Sequence, residues 1–233
     1  KRILLLVLVV IIIAVVYNYP KLNILSGYSA KNTASSVFVA NRTLEYTDTT
    51  DNNFSPVNLA SDKVDLNKKT ATSTTFGLLT RKAIIREGLG SVLTLTEEDE
   101  TAEYLVPKRL KPDNTTPFPY GNAPQKDSVF SNINYENLNI AIDSLFQKKN
   151  LTRAVLVVYK DQIIAEKYNR GFTKDSRILG WSMTKSILST VYGVLQHQNK
   201  LNVYDKAPIL SWQKDNRKNI TINNLEKLKI LIL

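Results

Sequence analysis

Five of the chain's eight prolines lie between positions 107 and 124 of the 233-residue sequence, and this cluster divides it. They are Pro107, Pro112, Pro117, Pro119 and Pro124. Proline removes a backbone donor and clashes with the preceding helical turn, so this stretch cannot sustain a helix or a central strand. We therefore expect an irregular region over residues 20–130, ending in an extended connector, and a folded domain over residues 131–233.

The N-terminus combines two cations with an apolar run. After Lys1 and Arg2, residues 3–16 contain no polar side chain, and Tyr17 and Tyr19 follow. This run is shorter than the ~20 residues that usually span a bilayer and matches the ~7–15 of a signal-peptide core. However, no small-residue cleavage site follows, and tyrosines are typical of a membrane interface. We expect residues 1–19 to form a signal anchor with the rest of the chain outside the cytoplasm, secretion after cleavage being the alternative.

The cysteine and histidine counts exclude several kinds of site. The chain has no Cys and one His, which is His197. Disulfides, thiolate zinc sites, iron–sulfur clusters, cysteine nucleophiles and multi-histidine metal cages are therefore excluded. A Ser-His-Asp triad would need His197 as its base. We expect no metal and no cofactor, and a base other than histidine if the chain is a hydrolase.

The net charge of +10 does not indicate a nucleic-acid surface. Residues 131–233 carry 16 Lys and Arg against 8 Asp and Glu, but these cations are scattered singly, without the clustering that nucleic-acid binding usually requires. The acidic run Glu97 to Glu100 lacks the spacing and the glycine of a calcium loop, which favours a solvated loop. We expect no nucleic-acid partner.

Hydrophobic patterning is weak before the connector and clear after it. Residues 37–40 and 76–85 are the apolar patches of the first region and could be short strands or helices. Beyond the connector, residues 135–146 fit an amphipathic helix, and the apolar runs 154–159 and 162–168 flank a Lys-Asp turn, which predicts a hairpin. Residues 182–198 again show helical spacing.

The start of that last helix carries the motif Ser-x-x-Lys, formed by Ser182 and Lys185. Positions i and i+3 share a helix face, so the Lys185 ammonium can reach the Ser182 hydroxyl. Burial would favour a neutral lysine able to take the serine proton, and the helix N-terminus would stabilise negative charge on the adduct. The spacing also occurs by chance. A second copy at Ser211 and Lys214 lies in a polar stretch, and we interpret it as a coincidence.

The order of these segments, an apolar hairpin, a polar loop and Ser-x-x-Lys opening an apolar helix, resembles the serine β-lactamase and penicillin-binding protein superfamily. Residues 180–186, Gly-Trp-Ser-Met-Thr-Lys-Ser, are most similar to its class C-like branch, which includes esterases and 6-aminohexanoate-dimer hydrolases. Residues 201–208 and 220–225 resemble the segments that follow in that branch. The resemblance implies that Ser182 is the nucleophile and Lys185 its activator, acting on amide, ester or lactam bonds.

Two signatures that follow the serine in that family, Tyr-x-Asn and Lys/His-Thr-Gly, are missing after Ser182. Neither Tyr192 nor Tyr204 is followed by Asn at the second position, and no Lys-Thr-Gly or His-Thr-Gly occurs. The apolar ending after Leu225 also departs from the family pattern. We expect a C-terminal truncation or frameshift near Leu225. The alternative function is therefore an inactive hydrolase fragment that acts at most as a membrane-tethered binding protein.

These observations together predict an α/β (α+β) chain. Its C-terminal domain would be the N-terminal part of a β-lactamase-like fold, with helices on an antiparallel sheet, behind a membrane-anchor helix and the irregular region. The expected function is a cell-envelope serine hydrolase that uses Ser182 and Lys185. Its expected partners are a small-molecule or peptide-like substrate and, through the N-terminal helix, the membrane.

Overall fold

A computed structural model describes residues 2–125 and 129–227, in which helices are mixed with antiparallel sheets. The chain divides into two compact units, Lys1–Ile178 and Leu179–Leu233. The division thus lies at Ile178, whereas the sequence placed a boundary at the proline-rich connector. The predicted departure from the family pattern in residues 228–233 lies outside the described residues.

Seven α-helices are found in the described residues, and several short helical turns join them. The α-helices are α1 (Arg2–Asn18), α2 (Leu22–Ala34), α3 (Leu44–Tyr46), α4 (Glu97–Thr101), α5 (Tyr135–Leu145), α6 (Met183–His197) and α7 (Ile222–Glu226). The π-helical turns are Ser35–Val39 and Thr47–Asp51, and the 3₁₀ turns are Tyr19–Lys21, Val57–Leu59, Lys148–Asn150, Leu210–Lys214 and Asn216–Asn219. Across the described residues, no helix has both the length and the apolar character that a membrane span requires.

Residues 60–94 form a four-stranded antiparallel sheet in the order β1-β2-β3-β4. The strands are β1 (Ala60–Asp65), β2 (Thr70–Thr75), β3 (Leu79–Arg86) and β4 (Gly90–Thr94). The prediction of an irregular region is wrong for this part of the chain. The sheet could not be predicted from the sequence pattern, because the buried face of β2 consists of Ala71, Ser73 and Thr75, which show no hydrophobic alternation.

Helix α2 packs on this sheet through small side chains. Ala30 and Ala34 of the helix and Ala71 and Ala83 of the strands are fully buried and form the centre of the core. Alanine lets the helix backbone approach the sheet closely, so the core needs few large side chains. Phe38, Val64, Ile85 and Leu93 pack around this centre.

Polar side chains of α2 are also buried against the sheet, and each has a partner. Ser26 bonds to the hydroxyl of Thr75 at 2.7 Å and donates to the Leu79 carbonyl at 2.7 Å. Ser29 and Thr33 donate to the Asp62 carboxylate at 2.7 and 2.9 Å. Because buried hydroxyls are costly only when unbonded, this network fixes the position of α2 on the sheet.

The acidic run Glu97 to Glu100 is helical rather than a loop. It begins α4, where Thr96 and Asp99 form a capping box. Backbone N–H donation from Leu95 and Thr96 lowers the pKa of Asp99. Lys82 pairs with Glu100 at 2.7 Å, so the acidic residues are used in local structure. Among the residues described, no three His, Cys, Asp or Glu side chains cluster as metal ligands would.

The rest of the first unit contains the predicted helix and hairpin. Asn134 caps α5 by accepting from the backbone N–H of Asn137 at 2.9 Å. Strands β5 (Ala154–Tyr159) and β6 (Gln162–Tyr168) pair antiparallel around the turn at Lys160 and Asp161. Both turn residues have positive φ, as tight two-residue hairpins require. No α-helix or strand is found between α4 and α5 in the described residues, as the prolines of the connector predict.

Candidate functional site

The candidate site lies in the second unit, where α6 begins. Ser182 is the residue before the first helical position, Met183. The turn into the helix is closed by two backbone bonds, from the Met183 N–H to the Gly180 carbonyl at 2.8 Å and from the Thr184 N–H to the Trp181 carbonyl at 3.3 Å. The turn and the first helical residues thus determine where the serine side chain points.

Ser182 and Lys185 are hydrogen-bonded. The Lys185 Nζ donates to the Ser182 Oγ at 3.0 Å. This is the i, i+3 geometry that the spacing predicts, and it needs no residue from elsewhere in the fold. A nucleophile and a base within hydrogen-bonding distance are the first requirement of covalent catalysis by serine.

The residue before the serine has an unusual backbone conformation. Trp181 has φ of +46°, in the left-handed region that bulky residues rarely adopt. The Thr184 hydroxyl also donates to the Trp181 carbonyl, which helps to hold this conformation. Left-handed non-glycine residues cost on the order of 1–3 kcal/mol and cluster at active sites and switches. Phe76 and Leu151 have the same backbone conformation outside this site, so the Trp181 conformation shapes the turn before Ser182 without by itself marking the serine as functional.

The Ser182 backbone N–H is available as an anion donor. Within residues 2–125 and 129–227 it donates to no acceptor. It points from the N-terminal end of α6, where unpaired N–H groups and the helix dipole favour negative charge. It can therefore supply one donor to an oxyanion formed at the serine.

The surroundings of the pair differ from the sequence-based expectation. The apolar spacing of residues 182–198 predicts a buried helix face with Met183 and Ile187 in the core, and this prediction is wrong. Met183 is 67% exposed and Ile187 is 61% exposed, and α6 has no buried residue. Ser182 and Lys185 are exposed too. The desolvation that would favour a neutral Lys185 is therefore not provided by the described part of the chain alone.

The second Ser-x-x-Lys copy provides an internal comparison. Ser211 and Lys214 lie in the 3₁₀ turn Leu210–Lys214 rather than at the start of an α-helix. No hydrogen bond joins their side chains, although both residues are described. The same sequence spacing thus gives a hydrogen-bonded pair at Ser182 and Lys185 and none at Ser211 and Lys214.

His197 cannot serve as the base for Ser182. It lies at the last position of α6, 15 residues after the serine. At 1.5 Å per residue, the two are about 22 Å apart along the helix axis. This excludes a triad built on the chain's only histidine. Neither Tyr192 nor Tyr204 hydrogen-bonds to Ser182 or Lys185 in the part of the chain that the structure describes.

A cleft between α6 and α7 begins at Lys185, and the sequence analysis did not predict it. It has a volume of about 690 Å³ and is lined by apolar and polar side chains. Leu188 and Tyr192 of α6 face Ile222 and Leu225 of α7 across it. Glu226 also lines the cleft and accepts from the Ser189 hydroxyl at 3.0 Å. Leu188 and Tyr192 follow Lys185 by three and seven residues, so helical spacing is the signal that could have identified this wall.

No family model, curated protein or solved structure matches this chain. The case for an activity therefore depends on the motif and on the geometry around Ser182.

Proposed function

We propose that the chain is a serine hydrolase that forms an acyl-enzyme on Ser182, with Lys185 as the activating base. The hydrogen bond of 3.0 Å between Lys185 Nζ and Ser182 Oγ is the observation that carries this proposal. The resemblance of residues 180–186 to the serine β-lactamase superfamily supports it and suggests amides, esters or lactams as substrates.

The first half of the reaction is acylation. The Ser182 Oγ attacks the substrate carbonyl carbon while its proton passes to the neutral amine of Lys185. The Ser182 N–H stabilises the oxyanion, and the amine or alcohol leaving group departs with the proton from Lys185. A substrate lying over this exposed pair would exclude water from the reacting atoms. Water then hydrolyses the acyl ester and returns the proton to Ser182.

The cleft between α6 and α7 is the natural place for the substrate. It includes Lys185, and its apolar lining from Leu188, Ile222 and Leu225 suits the non-reacting part of an ester or amide. We assign the acyl group to this cleft.

We also propose that the protein is held at the cell envelope by residues 1–19, with the rest of the chain outside the cytoplasm. Two cations ahead of an apolar run favour this orientation. Tyr17 and Tyr19 are 71% and 45% exposed, as residues in contact with a membrane interface would be in an isolated chain.

Covalent labelling tests the nucleophile. We expect the chain to react with a fluorophosphonate probe and to release p-nitrophenol from p-nitrophenyl acetate in a burst followed by slow turnover. Turnover should be slow because only one oxyanion donor is identified, and one donor typically contributes ~10²–10³ in rate. Ser182→Ala should abolish labelling, and Lys185→Met should slow the burst by ~10²–10⁴, the usual contribution of a positioned base.

The second motif copy supplies matched controls. Ser211→Ala and Lys214→Met make the same changes at the same spacing but remove no hydrogen bond between the two side chains. Both should label like the unsubstituted chain. Equal labelling of Ser182→Ala and the unsubstituted chain would eliminate Ser182 as nucleophile. Absence of any labelling would favour the inactive, membrane-tethered binding protein.

A further inference from the structure

A cavity of about 350 Å³ in the first unit is lined by three arginines and no acidic residue. It lies between residues 40–46 and the loop 170–177 that follows strand β6. Arg42 comes from the first segment, and Arg170 and Arg177 come from the second. The hydroxyl residues Thr43 and Ser176 line it as well. We call this cavity the arginine pocket.

The wall of the arginine pocket carries an excess of buried positive charge. Asp51, whose side chain is 5% exposed, binds Arg42 through one carboxylate oxygen at 2.8 Å and Arg153 through the other. The side chains of Arg42 and Arg153 are only 9% and 18% exposed. One carboxylate thus balances two guanidinium groups, and a buried charge without a counterion is unfavourable.

Aromatic rings compensate only part of this excess. Arg42 lies 5.6 Å from the ring centre of Tyr46 and 5.4 Å from that of Phe172, and Arg153 lies 5.7 Å from each. Cation–π contacts of this kind contribute only a modest stabilisation. Tyr46 and Phe172 also line the arginine pocket, so the excess charge borders the cavity itself.

Two of the three arginines are held in place before any ligand binds. Arg42 Nη2 donates to the Arg177 carbonyl at 3.1 Å, and Arg177 Nη1 donates to the Val39 carbonyl at 3.2 Å. A guanidinium has five N–H donors, so each retains donors beyond these contacts. Arg170 is exposed, and its side chain makes no hydrogen bond or ion pair with the described residues. The planar donors of the two held guanidinium groups, together with the exposed Arg170, match the oxygens of a phosphate group.

We propose that the arginine pocket binds a small phosphate monoester. Three guanidinium groups favour a dianion over a monocarboxylate, and the hydroxyls of Thr43 and Ser176 can complete its hydrogen bonds. The volume is at the lower end of the range for small-molecule sites and exceeds what one phosphate ion fills. Tyr46 and Phe172 provide an apolar wall for the rest of the ester. This proposal does not depend on the hydrolase function, because it concerns residues of the other unit.

Calorimetric titration with phenyl phosphate tests the site. We expect saturable binding to the full chain, weaker binding of inorganic phosphate, and none of benzyl alcohol, which has the ring without the charge. Arg170→Gln should weaken phenyl phosphate binding by roughly ten- to a hundredfold, as expected for charged hydrogen bonds. The exposed Lys63 on β1 does not line the pocket, so Lys63→Gln removes the same charge and should change the affinity less than twofold. Circular dichroism verifies that both variants fold.

Three results would overturn the proposal. The first is the absence of saturable phenyl phosphate binding to the unsubstituted chain. The second is equal weakening by Arg170→Gln and Lys63→Gln, which would show attraction by net charge alone. The third is equal affinity for inorganic phosphate and phenyl phosphate, which would eliminate an ester as the ligand.

Discussion

The change Asp51→Asn is expected to destabilise the first unit strongly. The Asp51 side chain is 5% exposed and bridges Arg42 and Arg153. An asparagine has one acceptor oxygen and no charge, so both guanidinium groups lose the carboxylate that pairs with them in the described residues. Removing one member of a buried ion pair costs about 3–5 kcal/mol. This is a large share of the 5–15 kcal/mol by which domains are usually stable. With a urea dependence of about 2 kcal/mol per M, the unfolding midpoint should fall by roughly 2 M.

Hydrogen exchange in the strands that hold Ala71 and Ala83 is a suitable assay, because these residues form the core of the first unit. Tryptophan fluorescence would not serve, since Trp181 and Trp212 are both in the second unit. The matched control is Asp175→Asn, which breaks an exposed pair with Lys174 in the same unit. Exposed pairs contribute about 0–1 kcal/mol. If both substitutions reduced protection equally, the reasoning about the buried cluster would be refuted.

Two further predictions concern the pH dependence of stability and the membrane. Burial raises the pKa of Asp48 to about 6, and the negative charge of Asp62 and a hydrogen bond with it add to the shift. Folding therefore favours the protonated acid, so the free energy of unfolding should rise as the pH falls from 7 towards 5. Urea titrations at pH 7 and pH 5 measure this rise, and Asp48→Asn should remove it. The membrane proposal is tested by the double substitution Ile12→Lys and Ile13→Lys. It should release the chain from membranes in carbonate extraction, because each charge in the bilayer centre costs at least ~2.5 kcal/mol. The control Leu66→Lys, on the exposed turn after β1, should leave the chain bound to membranes. Recovery of the unsubstituted chain in the soluble fraction would contradict the proposal.

The elements that the sequence predicted are those with strong local signals. The hairpin was visible because its β-branched runs flank a two-residue turn, and α5 because its apolar side chains recur at helical spacing. The distance between Ser182 and Lys185 was predictable for the same reason, since one helical turn determines it. None of these predictions required knowledge of contacts between distant residues.

The sheet of residues 60–94 could not be predicted in this way. Its buried positions include Ser73, Thr75 and Thr94, whose polar side chains give no hydrophobic alternation. Their partners lie in other segments: Ser26 of α2 bonds to the Thr75 hydroxyl, and the Thr94 hydroxyl donates to the Lys82 carbonyl of β3. Which residues face one another is a property of the tertiary fold, and single-segment patterns do not contain it.

The exposure of α6 was missed for a related reason. Its apolar spacing predicts that one face is covered, but spacing does not tell which segment covers it. In the described residues Ile187 and Val191 are 61% and 47% exposed. The arginine pocket could not be predicted from the sequence either, because Arg42 and Arg177 are 135 residues apart and appear there as isolated cations.

The two arginines that contact Asp51 lie at very different distances from it in the sequence. During synthesis, the contact with Arg42 can therefore form before the contact with Arg153. Arg42 is nine residues before Asp51, so both are present almost as soon as Asp51 is added. Arg153 is 102 residues later, which at roughly 5–20 residues per second means a delay of about 5–20 s. Helix α2 and the four-stranded sheet precede Arg153 and can be complete by then. On the ribosome, Asp51 would therefore pair with Arg42 alone until the segment that contains Arg153 emerges.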